Sequence, residues 1–304
     1  MVRFPTLNLF IEGPDLSGKS SLIKELHSQT QYKRHIFDRS QISRKIFCDL
    51  YERDYELQHL HMDNEVCNLN NRFFFLLPEK KEILKRFSTR GDEIHDLSSL
   101  LVVYDQFSAF LDSYHPFPNI YNFKNSDLDI ASLANCIDCI LNDLEEISSL
   151  DEISDHVFSF VNSSSQKEIY PLSFFLIDDG KFELADSTIL EDEKEGDYYH
   201  MIYKKIISKI KRELEGDNPY NRKETLESRR FVFSDETCIS FIQAANRNGI
   251  FDFHVVLRSS DVKDIFPSDL KFLYYLMSVC YQMISNKHCM ARLRINLNSA
   301  HILE

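Results

Sequence analysis

Short apolar runs alternate with amphipathic stretches along the first half of the chain. The apolar run over 7–11 leads into a glycine-containing loop, after which Leu22, Ile23 and Leu26 recur at helical spacing. Strands are predicted over 7–11, 35–37, 72–77 and 119–123, and helices beginning near residues 19, 40, 98 and 130. Such an alternation is typical of an open parallel α/β sheet.

The pattern changes at about residue 150, where polar segments flank a short apolar stretch. Alternating positions around Asp179 and Gly180 predict a β-hairpin. Strands over 229–234, 237–246 and 251–259 and helices over 198–214 and 269–284 are predicted beyond it. We therefore expect two domains, an α/β domain over 1–150 and a smaller α+β domain over 165–304.

The charge balance restricts the partners that we expect. Lys plus Arg number 35 against 48 Asp plus Glu, a net charge of −13. This disfavours a general nucleic-acid surface and favours a small-molecule substrate. The sequence has no membrane-length apolar run and no signal peptide pattern, so a cytoplasmic protein with reduced thiols is expected. Cys136 and Cys139 are predicted to lie on a buried helical face and not in a metal site.

A phosphate-binding loop is predicted between the first strand and the first helix. Gly13, Gly18, Lys19 and Ser20 fit G-x-x-x-x-G-K-[ST] in the required strand-loop-helix context. Backbone N–H groups would wrap the phosphates of ATP, with Lys19 on the β- and γ-phosphates and the Ser20 hydroxyl on Mg²⁺. The alternative is a glycine turn that carries Lys and Ser by chance. The expected nucleotide-binding residues are Gly13, Asp15, Ser17, Gly18, Lys19, Ser20 and Ser21.

The segment around this loop resembles the first motif of the thymidylate kinase and deoxynucleoside kinase group, in which Glu-Gly-Pro-Asp precedes Gly-Lys-Ser. Asp38, Arg39 and Ser40 resemble that group's Asp-Arg motif at a strand end. The resemblance implies that Asp38 acts at the metal or at the acceptor hydroxyl and that Arg39 binds phosphate. Asp38, Arg39 and Ser40 are the substrate-binding residues expected here. Asp38 as a helix N-cap is the alternative, for which Ser40 is an equally good candidate.

A basic stretch follows the third strand. It contains Lys80, Lys81, Lys85, Arg86 and Arg90 within an acidic chain. The stretch resembles the arginine-rich lid of these kinases, which implies that Arg86 and Arg90 contact the transferring phosphate. A solvated helix face is the alternative.

The second half resembles the thymidylate synthase and deoxycytidylate hydroxymethylase family. Cys238 precedes Arg258-Ser259-Ser260-Asp261-Val262 by that family's interval. The resemblance implies Cys238 as nucleophile, Arg258 and Ser259 as phosphate ligands, Asp269 at the pyrimidine and His301 at the nucleotide. Arg229-Arg230 resembles an Arg pair that reaches a partner subunit. Because Thr237 and Ile239 replace the family's Pro and His and no Trp is present, we expect a degenerate, base-binding or dimerising domain.

The sequence therefore predicts an ATP- and Mg²⁺-dependent phosphotransferase for a pyrimidine nucleotide, nucleoside or hydroxymethylated pyrimidine, the last as in phage-type kinases that act on modified DNA. The net charge disfavours DNA as the substrate. A bifunctional kinase and pyrimidine C5 methylase or hydroxymethylase is one alternative. A non-catalytic nucleotide-sensing dimer is another. A homodimer through the second domain is expected from the resemblance.

Overall fold

The computed structural model divides the chain into two compact units. The first unit contains Thr6–Glu145, and the second contains Met1–Pro5 together with Glu146–Glu304. The sequence assigned the first five residues to the first domain, whereas strand β1 (Val2–Arg3) pairs within the second unit. The second unit, expected to be the smaller, is the longer of the two. The structure describes residues 2–53, 62–92, 95–114, 117–124, 129–145, 149–191, 195–215, 230–247, 249–285 and 289–303.

The first unit is built on a four-stranded parallel sheet, which confirms the predicted α/β class. Its strands, in the order β3-β2-β4-β5, are β2 (Asn8–Glu12), β3 (Ile36–Asp38), β4 (Asn71–Leu77) and β5 (Ile120–Lys124). All seven residues of β4 are buried, because helices cover both faces of this strand. The carboxyl ends of all four strands lie at one edge of the sheet, where ligands of such folds bind.

Five helices of this unit have described bounds. They are α1 (Lys19–Gln29), α2 (Gln41–Leu50), α3 (Lys80–Arg90), α4 (Leu97–Tyr114) and α5 (Ile130–Glu145). Helices α2 and α4 pack on one face of the sheet, and α1 and α5 pack on the other. Helix α5 buries Ala134, Ile137 and Leu141. Cys136 is only half-buried and Cys139 is exposed, so the expectation that this cysteine pair lies on the buried face is wrong.

The second unit is α+β. Its six-stranded mixed sheet has the order β1-β7-β12-β10-β9-β8, in which β10 and β12 are parallel and the other pairs are antiparallel. In chain order, the unit contains α6 (Leu150–Ser163), β6 (Glu168–Ile169), β7 (Leu172–Asp178), α7 (Gly196–Glu215), β8 (Arg230–Ser234), β9 (Ile239–Arg247), β10 (Ile250–Leu257), β11 (Ser260–Asp261), α8 (Phe266–Ile284), β12 (Met290–Leu297) and β13 (Ala300–His301).

The hairpin predicted around Asp179 and Gly180 is wrong. The carboxylate of Asp178 accepts hydrogen bonds from the backbone N–H groups of Gly180 and Phe182, at 2.7 and 3.3 Å, and thereby ends β7 in a turn. Strand β7 pairs instead with β1 and β12, which are distant in sequence. In the described part of the chain, no helix is long and apolar enough to cross a membrane.

Candidate active site

At two positions of the loop between β2 and α1, the backbone has a conformation that only glycine adopts readily. Gly13 has a φ of 138°, and an added Cβ there would lie 2.2 Å from the carbonyl oxygen of Leu76. Gly18 has a φ of 106° and immediately precedes Lys19, the first residue of α1. The loop therefore leads directly into the amino-terminal end of α1, where the helix dipole favours an anion.

The Lys19 side chain folds back over this loop. Its Nζ donates to the carbonyl oxygen of Pro14 at 2.8 Å and lies 4.0 Å from Oδ1 of Asp15. Burial lowers the pKa of Lys19, and the positive charge of Arg39 lowers it further. The carboxylates of Asp15, Asp38 and Glu12 raise the Lys19 pKa and offset part of this effect.

The fit of a nucleotide and Mg²⁺ to this loop depends on its hydroxyl groups. The Oγ of Ser17 is buried and has no hydrogen-bond partner among the described residues. Ser20 and Ser21 are exposed in the first turn of α1. No set of three His, Cys, Asp or Glu side chains in the described ranges is arranged to hold a metal ion. Mg²⁺ commonly takes few protein ligands and completes its shell with phosphate and water, so the Ser20 hydroxyl is a suitable ligand.

Asp38 and Arg39 lie directly beside the phosphate loop. Strands β2 and β3 pair with Ile11 opposite Asp38, which brings the end of β3 to the start of the loop. Asp38 is exposed, and its negative charge raises the Lys19 pKa, against the dominant effect of burial. Ser40 is the residue that caps α2, with its Oγ accepting from the N–H of Ile42 at 3.0 Å. The N-cap role therefore belongs to Ser40 and leaves Asp38 free to face a ligand.

Arg39 is held by three contacts. Its backbone has a φ of 73°, and its N–H donates to the carbonyl oxygen of Ile11 at 3.1 Å. Its Nη2 donates to Oδ1 of Asp15 at 2.5 Å, and its guanidinium lies 4.7 Å from the ring centroid of Phe47. Asp15, expected at the nucleotide, thus points its side chain toward the Asp38 and Arg39 side of the loop.

Two carboxyl groups at the start of α2, the buried Glu12 and the half-buried Glu65, were not predicted from the sequence. Glu12 accepts hydrogen bonds from the N–H of Ser40 at 2.6 Å and from the hydroxyl of Ser43. Glu65 accepts from the N–H of Gln41 at 2.8 Å. Burial raises the pKa of Glu12, and burial together with the charge of Glu12 raises the pKa of Glu65 to about 7. The position of Glu12, directly before Gly13, was the available signal.

A cleft of about 500 Å³ opens in front of these residues. Three parallel aromatic rings form part of its wall, because the planes of Phe47, Tyr51 and His95 deviate by only 9° to 14°. The Arg39 guanidinium lies 4.7 Å from the centroid of the Phe47 ring, and the Arg53 guanidinium lies 5.0 Å from that of Tyr51, so each covers one face of its ring. The wall therefore combines aromatic rings with arginines, which suits a ligand that has an anionic or polar group. The cleft is lined by Asp15, Arg39, Ser40, Ser43, Arg44, Phe47, Cys48, Tyr51, Arg53 and His95.

The basic helix α3 reaches the phosphate loop through one arginine. Nη1 of Arg86 donates to the carbonyl oxygen of Leu16 at 2.8 Å. Arg86 and the exposed Arg90 line a second cleft, of about 350 Å³, together with Gly18 and Ser21. Lys80 and Lys81 instead form ion pairs with Asp105 and Glu79. The helix thus directs Lys85, Arg86 and Arg90 toward this cleft, whereas Lys80 and Lys81 have other partners.

In the second unit, Cys238 and Arg258 are neighbours. The N–H of Arg258 donates to the carbonyl oxygen of Cys238 at 2.8 Å, and its Nη1 donates to the carbonyl oxygen of Glu236 at 2.7 Å. Cys238 is exposed. Tyr198 contacts the residues on both sides of Cys238: its hydroxyl donates to Oγ1 of Thr237 and accepts from the N–H of Ile239. The segment that carries the cysteine is therefore held by hydrogen bonds.

The other residues predicted for this unit lie nearby but are differently engaged. Asp269, in the first turn of α8, is buried and accepts from the hydroxyls of Tyr199 at 3.1 Å and Ser260 at 3.0 Å. Burial raises the pKa of Asp269 to about 6. His301 pairs with Asp261 between β13 and β11, and Ser259 is half-buried. Arg229 and the side chain of Arg230 lie outside the described residues.

The chain matches no protein-family model and no curated protein. Three solved structures superpose on part of it. The YorR protein of Bacillus subtilis, in complex with phosphorylated GDP, is 17% identical over 47% of this chain and 99% of that chain, with a TM-score of 0.39. Deoxyadenosine kinase from M. mycoides, with dCMP and dCDP bound, is 15% identical over 45% and 98%, with a TM-score of 0.33. Thymidylate synthase from T4 phage is 15% identical over 50% and 75%, with a TM-score of 0.30. These likenesses are distant, and the chemistry of the site rests on its own residues.

Proposed function

We propose that this protein is an ATP- and Mg²⁺-dependent phosphotransferase whose acceptor is a pyrimidine nucleotide or nucleoside. One observation carries the proposal. The carboxyl ends of β2 and β3 bring a glycine-shaped phosphate loop together with Asp38 and Arg39, in front of a cleft with an aromatic wall. This cleft of about 500 Å³ offers a place beside the loop for the acceptor.

On the donor side, the loop backbone and Lys19 bind the phosphates of ATP, and Ser20 provides a hydroxyl for Mg²⁺. The metal ion supplies charge neutralisation between the β- and γ-phosphates when it is bound. Arg86 and Arg90 of α3 lie at the second cleft and approach the transferring phosphate as the helix closes over the loop. Their guanidinium groups offer bidentate contacts to the phosphate oxygens.

On the acceptor side, the parallel rings bind the base, and Arg39 and Ser40 bind the remainder of the acceptor. Asp38 accepts the proton of the attacking hydroxyl, and together with Ser20 it would hold the metal ion. A hydroxymethylated pyrimidine within DNA is a less suitable acceptor, because the net charge of −13 opposes the approach of a polyanion.

The test is incubation with γ-labelled ATP and a panel of deoxynucleosides, deoxynucleotides and modified DNA. We expect label transfer to one pyrimidine acceptor class. Lys19→Ala is expected to lower turnover by several orders of magnitude, because the buried ammonium contacts the transferred phosphate. Lys24→Ala is the matched control, since Lys24 is an exposed lysine on the same helix.

Two results contradict this proposal. Retained turnover in Lys19→Ala would remove the loop from the mechanism. Slow ATP hydrolysis without transfer to any member of the panel would favour a nucleotide sensor, in which the second unit transmits the bound state.

For the second unit we propose a base-binding or dimerising role without methylene transfer. The buried Asp269 already accepts from Tyr199 and Ser260, and the Arg258 guanidinium already contacts Glu236, so two expected nucleotide ligands have protein partners. A 5-fluoro pyrimidine deoxynucleotide with a methylene-folate donor should therefore form no covalent adduct at Cys238 by mass spectrometry. Such an adduct would support the bifunctional alternative. Sedimentation analysis tests the homodimer, which a monomeric wild-type protein would contradict.

A further inference from the structure

One ring of the aromatic wall in the first unit belongs to a histidine that the sequence did not predict as a site residue. His95 follows α3, and its backbone N–H donates to Oδ1 of Asp92 at 2.8 Å. Its side chain is only 3% exposed, although it contributes to the wall of the cleft. A buried imidazole normally has polar partners for its ring nitrogens. The partners of His95 show what it does.

The two ring nitrogens of His95 face two different functional groups. Nε2 lies 3.5 Å from Oδ2 of Asp15, and Nδ1 lies 3.4 Å from the hydroxyl of Tyr51. The other oxygen of the same Asp15 carboxylate, Oδ1, accepts from Nη2 of Arg39 at 2.5 Å. One carboxylate therefore bridges His95 and Arg39. Oδ2 of Asp15 lies near His95, and Oδ1 accepts from Arg39.

The Arg39 guanidinium retains capacity for a ligand in this arrangement. Its Nε is buried and has no hydrogen-bond partner within the described ranges. The ring of Phe47 supports one face of the guanidinium, and Asp15 fixes one of its edges. If the Asp15 carboxylate rotated away, this orientation of the guanidinium would lose its strongest contact.

We propose that His95 is a positioning residue: it fixes the Asp15 carboxylate, which in turn orients Arg39 toward the acceptor in the cleft. The inference rests on the proposed function, because it assumes that Arg39 binds the acceptor. His95 does not touch the reacting atoms. It also lies on the segment that follows α3, whose Arg86 contacts Leu16, the residue next to Asp15. Helix α3 and the segment that follows it thus contact two consecutive residues of the phosphate loop, Asp15 and Leu16.

The test measures steady-state kinetics of the full chain with MgATP and the acceptor identified by the panel assay. His95→Phe keeps the ring and removes the polar contact to Asp15, whereas His95→Gln keeps a donor near the position of Nε2. We expect His95→Phe to raise the KM for the acceptor about tenfold, because it removes one polar contact with the Asp15 carboxylate. The KM for ATP should stay within about twofold. His95→Gln should restore most of the difference. In an Arg39→Ala background, His95→Phe should have no further effect.

Controls separate this role from a contribution to folding. His27→Phe makes the same chemical change on α1, where His27 stacks on Tyr32, and should leave both KM values unchanged. If His95→Phe does not fold, as judged by circular dichroism, Asp15→Asn weakens the same bridge from its other end and should raise the acceptor KM.

The inference is overturned if the wild type transfers phosphate but His95→Phe changes neither KM, or changes only the KM for ATP. It is also overturned if the effects of His95→Phe and Arg39→Ala are additive. A wild type that transfers no phosphate to any acceptor contradicts the proposed function itself, so the two failures are distinguishable.

Discussion

A buried carboxyl group lies at the start of a helix in each unit. Glu12 and Glu65 accept the first N–H groups of α2, and Asp269 lies in the first turn of α8 between two hydroxyls. A helix N-terminus favours a negative charge, but burial disfavours it, and the pKa of Asp269 is raised to about 6. In this balance burial is the larger effect, so each carboxyl makes stability depend on pH.

The Asp269→Asn substitution tests this balance. The folded-state pKa is raised above its usual value of 3.8 to about 6, so the folded protein retains a proton that the unfolded chain releases. The stabilisation that this bound proton provides is fully present below the unfolded-state pKa of 3.8, and it is lost as the pH rises through about 6. Relative to Asp269→Asn, the wild type should lose up to about 3 kcal/mol of unfolding free energy between roughly pH 4 and pH 7.

Urea denaturation of both proteins across this pH range gives the difference. Asp264→Asn, at an exposed position five residues earlier, is the control and should follow the wild type. If the wild type instead gained stability over Asp269→Asn with rising pH, the folded-state pKa of Asp269 would lie below its unfolded value, which contradicts the prediction.

At the scale of residues, the local chemistry of the site was predictable and its partners were not. The loop glycines, Lys19 and the alternative cap Ser40 follow from spacing, because each acts on backbone atoms close in sequence. The pairing of Arg39 with Asp15, and the contact of His95 with Asp15, join residues from separate loops. Only the folded sheet brings those loops together.

Helix α3 shows how one element can have two faces with different tasks. Lys80 and Lys81 form ion pairs with Asp105 and Glu79, whereas Arg86 and Arg90 line the cleft beside the phosphate loop. The two arginines also differ, since Arg86 contacts the loop backbone at Leu16 and Arg90 is exposed. Their substitutions should therefore have different kinetic effects.

We expect Arg90→Ala to lower kcat about tenfold or more with little change in the KM for ATP, as for a contact that is strongest in the transition state. Arg86→Ala should lower kcat and also raise the KM for ATP, because it removes the contact that holds Leu16. Lys81→Ala, at a side chain that is 80% exposed on the same helix, is the matched control. Steady-state kinetics with the panel acceptor measures all three. Equal effects of Arg90→Ala and Lys81→Ala would reduce this stretch to a solvated face.

At the scale of elements, regular periodicity located most strands and helices of the first unit, including all four strands of its sheet. The errors fall where tertiary contacts decide. The hairpin after β7 failed because Asp178 captures the following backbone N–H groups, and β12 was not predicted, although it lies between β7 and β10. Helix α6 was also missed, despite the capping box formed by Ser149 and Glu152. Leu150, Ile153, Val157 and Phe160 also recur at helical spacing, so the sequence contained enough to predict this helix.

At the scale of the whole molecule, the second unit is discontinuous in sequence. Val2 and Arg3 pair with Asp178 and Ile177 at the edge of its sheet. Phe4 is fully buried there, with its ring 5.3 Å from that of His156 and 6.0 Å from that of Phe174. The change in composition near residue 150 indicates only the boundary between the first unit and the rest of the second. The boundary after Pro5 is not visible in the sequence, because residues 1–5 join the second unit by pairing with a strand that is distant along the chain. The amino-terminal residues therefore contribute to the stability of the second unit.

Phe4→Ala is expected to destabilise the second unit by about 3–5 kcal/mol, because it removes a fully buried aromatic side chain and leaves a cavity. Hydrogen exchange followed by mass spectrometry locates the effect: peptides from β7 and β12 should exchange faster than in the wild type, whereas peptides from β2 and β4 should be unchanged. Leu7→Ala is the control, since Leu7 is 41% exposed and lies just beyond the amino-terminal segment. Faster exchange in β2 and β4, with β7 and β12 unaffected, would assign Phe4 to the first unit and contradict this division of the chain.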